Sequence, residues 1–281
     1  MKIRMIRDKR GQFIVIAALL IALMIISATT VMFSAGTYFK HEQWEEYLIV
    51  IDGVKAGTAN VLKLSLANYT QTSNGSVLKT NLDSWRDAVK NAYSGFGAIL
   101  GYSLANGSYS AYGMNPINYY LGLNRTWNKP ISFSVANATT NLNITSVGLT
   151  GYRFTSVVFL KMNITDYALW YSDTNQVGVR VVMYAEGPTM LTNLQKGNFL
   201  LFQVNDVDKT QNSTLSRYYE SSGHPIKKPT YPALNAYVYE LRYSASSKPS
   251  SSVNVVVTVR DSRGIQVTGA FNIPADRIID Y

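Results

Sequence analysis

The spacing of apolar and polar positions changes twice along the chain, and each change marks a different kind of element. From Phe13 to Ile26 the residues are continuously apolar, and the run tails off through Ser27 to Gly36 without a single charge. As a helix it would reach about 36 Å at 1.5 Å per residue, enough for a hydrocarbon core of about 30 Å. From Thr37 to about Tyr69 the period becomes helical, with Trp44, Leu48, Ile51, Ala59, Leu62 and Leu66 sharing a stripe. Gly53 and Gly57 mark a kink or short break there, since each costs a helix about 1 kcal/mol against Ala. Residues 70–75 read as a loop. A second helix is predicted from about Thr80 to Tyr93, with Leu78, Leu82, Trp85, Val89 and Ala92 on one face and Gly95 placed to cap it. The two helices make an antiparallel hairpin.

Beyond Gly95 the period falls to two. Ala98, Leu100, Tyr102 and Leu104 alternate with other residues, as do Ile131 to Val135, Tyr237 to Tyr243, Val253 to Val259 and Ile265 to Val267. Residues 140–146, 153–164, 177–185 and 198–204 are further strands, and Asp261-Ser-Arg-Gly264 supplies the turn of a hairpin. Short strands divided by Gly, Asn, Ser and Pro clusters predict an antiparallel sandwich. The fold class expected is α+β: an N-terminal transmembrane helix continuing into a helical hairpin stalk, then a β-sandwich, immunoglobulin-like in outline. The expected division is 1–11 basic leader, 12–36 transmembrane helix, 37–94 extracytoplasmic hairpin, 95–124 strand and linker, and 125–281 sandwich head. The Ser-, Asn- and Lys-rich segment Asp206 to Pro232 is predicted to be a long loop, the most mobile part of the head.

Charge sets the orientation. Lys2, Arg4, Arg7, Lys9 and Arg10 precede the apolar run against only Asp8, so the positive-inside bias leaves the amino terminus cytoplasmic. Tyr38, Phe39 and Trp44 follow the run, where amphipathic rings settle at a membrane interface. The net charge of +9 then loses its suggestion of a nucleic-acid partner, because the leader supplies +4 of it and the rest is dispersed. With no cysteine, an exported domain must rely on packing alone.

Lys9-Arg10-Gly11-Gln12-Phe13 places a basic pair, a Gly and a Gln before the apolar run instead of after it. This resembles the class III signal of archaeal type IV pilin-like surface proteins, over about the first 40 residues. The resemblance implies cleavage between Gly11 and Gln12 by a prepilin peptidase that also reads Arg10. It further implies an apolar helix retained to pack against copies of itself or other pilin-like subunits. The sequence departs from the pattern at Ile16, where many such proteins carry glutamate. The alternatives are an uncleaved single-pass anchor presenting an adhesin-like sandwich to a surface polymer or protein ligand, a signal peptide removed near Ser34-Ala35-Gly36, and a membrane-tethered hydrolase.

Eight Asn-x-Ser/Thr sequons follow the anchor: Asn68, Asn74, Asn106, Asn124, Asn137, Asn143, Asn163 and Asn212. Lying on the side assigned to the exterior, they are candidate N-glycosylation sites of a cell-surface glycoprotein. Catalytic signals are sparse. The two histidines, His41 and His224, would have to serve any His-based metal site or triad. Gly95 to Gly101 misses dinucleotide spacing by one, and Asn205, Asp206, Asp208 and Asn212 lack the Gly and closing Glu of a calcium loop. The expectation is a protein with no enzymatic activity, cofactor or metal, whose partners are the lipid bilayer and other surface components. Its tyrosines, 20 in number, would form a binding patch only if several cluster on an exposed face; otherwise they are core.

Overall fold

The computed structural model describes residues 9–104, 106–109, 117–119, 122–186, 190–220 and 236–281. Side chains of 9–18, 35–46, 107–109 and 117–119 also lie outside the described set. The chain is α+β, with two α-helices among the described residues, α1 (Lys9–Thr72) and α2 (Val77–Ala92). Fourteen strands follow: β1 (Ala98–Ser103), β2 (Gly107–Tyr109), β3 (Ile117–Tyr119), β4 (Leu123–Thr126), β5 (Ile131–Ile144), β6 (Leu149–Tyr171) and β7 (Gln176–Ala185), then β8 (Phe199–Val204), β9 (Val207–Asp208), β10 (Thr214–Glu220), β11 (Ala236–Ser244), β12 (Val253–Arg260), β13 (Gln266–Ile273) and β14 (Ile278–Asp280). The chain divides into two compact units, Met1–Gly53 and Val54–Tyr281.

In the first unit, every described residue from Leu19 to Ser34 is exposed. Among the side chains described from Leu19 to Phe33 the polar ones are three hydroxyls, and each turns back onto its own helix. Ser27 Oγ donates to the Leu23 carbonyl at 2.8 Å, Thr29 Oγ1 to Ile25 at 2.9 Å and Thr30 Oγ1 to Ile26 at 2.8 Å. Among the described residues no helix is long and apolar enough to cross a membrane. The described side chains, Leu19–Ser34, cover only part of the uncharged run and fall short of the ~20 residues a crossing needs. The expected crossing therefore rests on the sequence run as a whole.

The second unit is built on an eight-stranded sheet with path order β1-β5-β6-β7-β11-β10, to which β4 adds beside β5 and β14 beside β6. All its pairings are antiparallel except β14 with β6. A four-stranded antiparallel sheet, β13-β12-β8-β9, and the α1–α2 hairpin contribute to the same core. Leu62 and Leu66 of α1, Leu78 and Leu82 of α2, Val158 and Leu160 of β6, Phe202 of β8 and Val257 of β12 are all buried in it. Two sheets sharing a core are compatible with a sandwich, although the larger sheet is wider than either sheet of an immunoglobulin domain.

Several boundaries differ from those the sequence suggests. The distal part of the expected stalk, from Val54 onward, belongs to the head's compact unit, because its apolar stripe is covered by strands. The stretch assigned to a linker supplies β1 and β4, both paired with β5. Helical structure continues through Gly53 and Gly57 and on to Thr72, beyond the predicted end. Gly57 is there for contact: a Cβ would lie 2.1 Å from the Trp85 ring, whose Nε1 donates to Thr58 Oγ1 at 3.1 Å. The left-handed residue after α2 is Gly97 (φ +61°), not Gly95, because a short 3-10 turn, Ser94–Phe96, intervenes. The expected strands at 131–135 and 140–146 merge into β5, the one at 153–164 lengthens at both ends into β6, and the expected loop Asp206 to Pro232 contains β9 and β10. Its remainder from residue 221, with Pro225, Pro229 and Pro232, lies outside the described residues.

The Gly57–Trp85 contact reverses the usual helix preference. Gly57→Ala should destabilise the head by at least about 1 kcal/mol, whereas propensity alone would stabilise it by about as much. Urea unfolding of the two proteins, compared at constant m-value, checks the sign.

Candidate functional sites

Arg10, Gly11 and Gln12 fall within the first turns of α1, and their side chains lie outside the described residues. The sequons divide by burial. Asn68, Asn74, Asn106 and Asn212 are exposed, while Asn124, Asn143 and Asn163 are half-buried in strands. Asn137 differs from the rest: it is 3% exposed within β5, and its Nδ2, the atom a glycan would occupy, is itself buried. A glycan has no room there in the folded protein.

The tyrosines expected on 237–243 are core. Tyr239 and Tyr243 are buried and Tyr237 packs against the same cluster, so the exposed binding patch is not found on this strand. Tyr239 Oη donates to the Leu191 carbonyl at 2.8 Å and accepts the Leu194 N–H at 3.1 Å. Burial pushes both Tyr239 and Tyr243 up to about 12.

Side-chain alternation places a second tyrosine group on the opposite face of the large sheet, around four charges that sequence inspection missed. Arg180 sits between Val179 and Val181, and Glu240 between Tyr239 and Leu241, so each projects away from the shared core. β7 and β11 pair Arg180 directly with Glu240, and both are fully buried. Glu240 accepts from Tyr171 Oη at 2.7 Å, Tyr218 Oη at 2.6 Å and Arg242 Nε at 2.6 Å. Arg180 pairs with Glu220 and donates to Tyr167 Oη. The Arg242 guanidinium lies 4.0 Å from the Tyr171 ring centroid. Gly178 leaves room for this arrangement, since a Cβ there would approach Glu240 Oε1 to 2.5 Å. Two cations and two anions balance, and burial followed by the Glu240 charge raises the Tyr171 and Tyr218 pKa values. Arg180, Glu220 and Glu240, on β7, β10 and β11, stand far apart in sequence, and only the pairing register brings them together. The cluster is a largely buried polar network, with Arg180, Glu220 and Glu240 at its centre.

The other candidates resolve into turns. Asp208 Oδ1 accepts from Thr210 N at 2.8 Å and from its hydroxyl at 2.5 Å, bonds that hold the carboxyl below its ordinary value. Asn205, in the β8–β9 turn, is tied to β12 by exchanging hydrogen bonds of 2.8 Å with Asn254. Among the described residues no group of three or more His, Cys, Asp or Glu could hold a metal. The His41 side chain and His224 lie outside them.

Structure and site together define an α+β protein whose first helix is apolar over Leu19–Phe33 and whose head holds an eight-stranded, a four-stranded and a small two-stranded sheet. Searches against family models, curated proteins and solved structures found no match to this chain.

Removing Glu240 leaves Arg242 without its carboxylate, so Glu240→Ala should cost about 3–5 kcal/mol. Arg86→Ala, on an exposed helical pair with Asp83, should stay within about 0.5 kcal/mol. Denaturant melts of both compare a buried with a solvated charge. Phenols with raised folded pKa values hold their protons more tightly in the native state. Their contribution is therefore complete below pH 10 and is lost as pH rises toward about 12. Phenolate absorbance should show Tyr239 and Tyr243 ionising only as the head unfolds.

Proposed function

We propose that the chain is a membrane-anchored extracytoplasmic surface protein, a pilin-like subunit or minor component of a surface filament. The observation that carries this reading is the Leu19–Phe33 stretch of α1. Ten large apolar side chains are exposed there, from Leu19 at 58% to Phe33 at 76%. Covering them would stabilise the protein by roughly 15–30 kcal/mol at about 1.5–3 kcal/mol each. A helix apolar on all sides needs an apolar surrounding, and the back-bonded hydroxyls of Ser27, Thr29 and Thr30 suit one. Lipid supplies that surrounding to a single subunit, and sister helices supply it in a filament.

On this reading the leader through Gly11 is cytoplasmic and removed, the head faces the exterior, and exposed sequons such as Asn74 and Asn212 carry glycans. The protein performs no catalysis; the head is a structural and contact surface of sandwich type. The uncleaved anchor presenting its head to a surface ligand is the second reading, favoured by Ile16 in place of the glutamate of many pilin-like helices.

Amino-terminal sequencing of native protein from the membrane fraction separates the two. The filament reading expects Gln12 at the mature terminus and retention of the leader in Gly11→Val. Met1 retained in wild type would favour the plain anchor. Recovery of the chain in the soluble fraction with Leu19–Phe33 intact would remove both.

A further inference from the structure

A trough of about 360 Å³ opens on the large sheet, lined among others by Gly101, Tyr102, Ser103, Thr139, Asn141 and Arg153. Its shape follows from sequence: Gly101 of β1 pairs with Asn141 of β5, which pairs with Arg153 of β6, and in the next row Ser103, Thr139 and Thr155 align. Glycine and short hydroxyl side chains leave the floor low while Arg153 stands exposed at one side. The volume lies at the small end of ligand-sized clefts. Hydroxyl and amide groups beside one cation and the Tyr102 ring suit a sugar, which offers hydroxyls at its edge and C–H groups on its faces.

At the end of this trough the β5–β6 ladder slips between Leu142 and Ile144, and β6 carries one residue more than its partner. Gly151, in the left-handed region at φ +73°, takes up that slip. Its N–H donates to Asn143 Oδ1 at 2.7 Å. Asn143 is the acceptor of the Asn143-Ile144-Thr145 sequon. The bond fixes the amide oxygen against the trough wall and leaves Nδ2, the atom glycosylation uses, with no hydrogen-bond partner among the described residues. Asn141, two positions along the same strand face, lines the trough itself.

We propose that Asn143 is a glycan attachment site and that the trough is the bed on which its first sugars lie, their hydroxyls meeting Ser103, Asn141 and Arg153. The proposal rests on the export reading above, since only an exported head meets the glycosylation machinery. A glycan held this way would cover the bulge and shield the β1 edge of the sheet.

Glycopeptide mapping of the protein isolated from the cells that make it tests attachment. Occupancy at Asn143, alongside exposed sites such as Asn74 or Asn212, is expected. Occupied exposed sites with Asn143 bare would overturn the proposal and leave the export reading standing, whereas no modified sequon at all would sink both. Gly101→Val tests the bed. A Cβ at Gly101 meets only the Asn141 carbonyl at 3.7 Å, so the side chain enters the trough without strain. Thermal midpoints of glycosylated and unglycosylated wild type should differ by about 2–4 °C. In Gly101→Val that difference should shrink by at least half with Asn143 still occupied. An equal difference in both proteins would show that the sugar does not lie in the trough.

Discussion

One helix carries two different surfaces, and the head is assembled around one of them. Between Leu19 and Phe33, α1 is apolar on every side and its few hydroxyls are spent on its own carbonyls. From Val54 to Thr70 it is apolar on one stripe only, and Val54, Leu62 and Leu66 are fully buried. The same secondary structure thus carries a surface that needs an apolar surrounding and a surface that a protein core covers. The head is assembled around the second. α2 packs beside it through Trp85 at Gly57, and Gln71 Nε2 donates to the Gly264 carbonyl at 2.9 Å in the β12–β13 turn.

Within the head, the large sheet has one face in the shared apolar core and buries charge on the other. Replacing a balanced Arg–Glu–Tyr network by apolar side chains is often neutral or stabilising, so its presence is weak support for stability as such. What it does fix is pairing: a one-residue slip between β7 and β11 would separate Arg180 from Glu240 and turn one of them toward the apolar core.

Much of this architecture was legible in the residues. The period change at Gly95, the strands at 177–185, 198–204 and 253–259, and the Asp261–Gly264 turn, with Gly264 at φ +82°, all lie where the alternation places them. Long-range register was not legible. β10 reads as loop because Thr214, Arg217 and Tyr219 are exposed on an edge strand, leaving little apolar alternation. The candidates 131–135 and 140–146 are one strand, β5, and 153–164 is the middle of the longer β6; the residues left between or beyond them, such as Asn137 and Asp166, are polar yet lie within strands. Gly57 read as a helix weakness because propensity cannot see the indole that needs the space. Of the candidate sites, the sequons were visible as motifs. Their burial was not: of Asn137 and Asn143, six residues apart on one strand, the first is buried and the second half-buried.

The account stands most directly on where the two parts of the chain reside. Because the protein has no native cysteine, a single introduced thiol reports position without background. With a membrane-impermeant maleimide on intact cells, Asn74→Cys should label fully, whereas Met24→Cys should stay unlabelled until the membrane is dissolved in denaturing detergent. Asn74→Cys reacting only in broken cells, or Met24→Cys reacting as fast as Asn74→Cys in intact ones, would contradict the account.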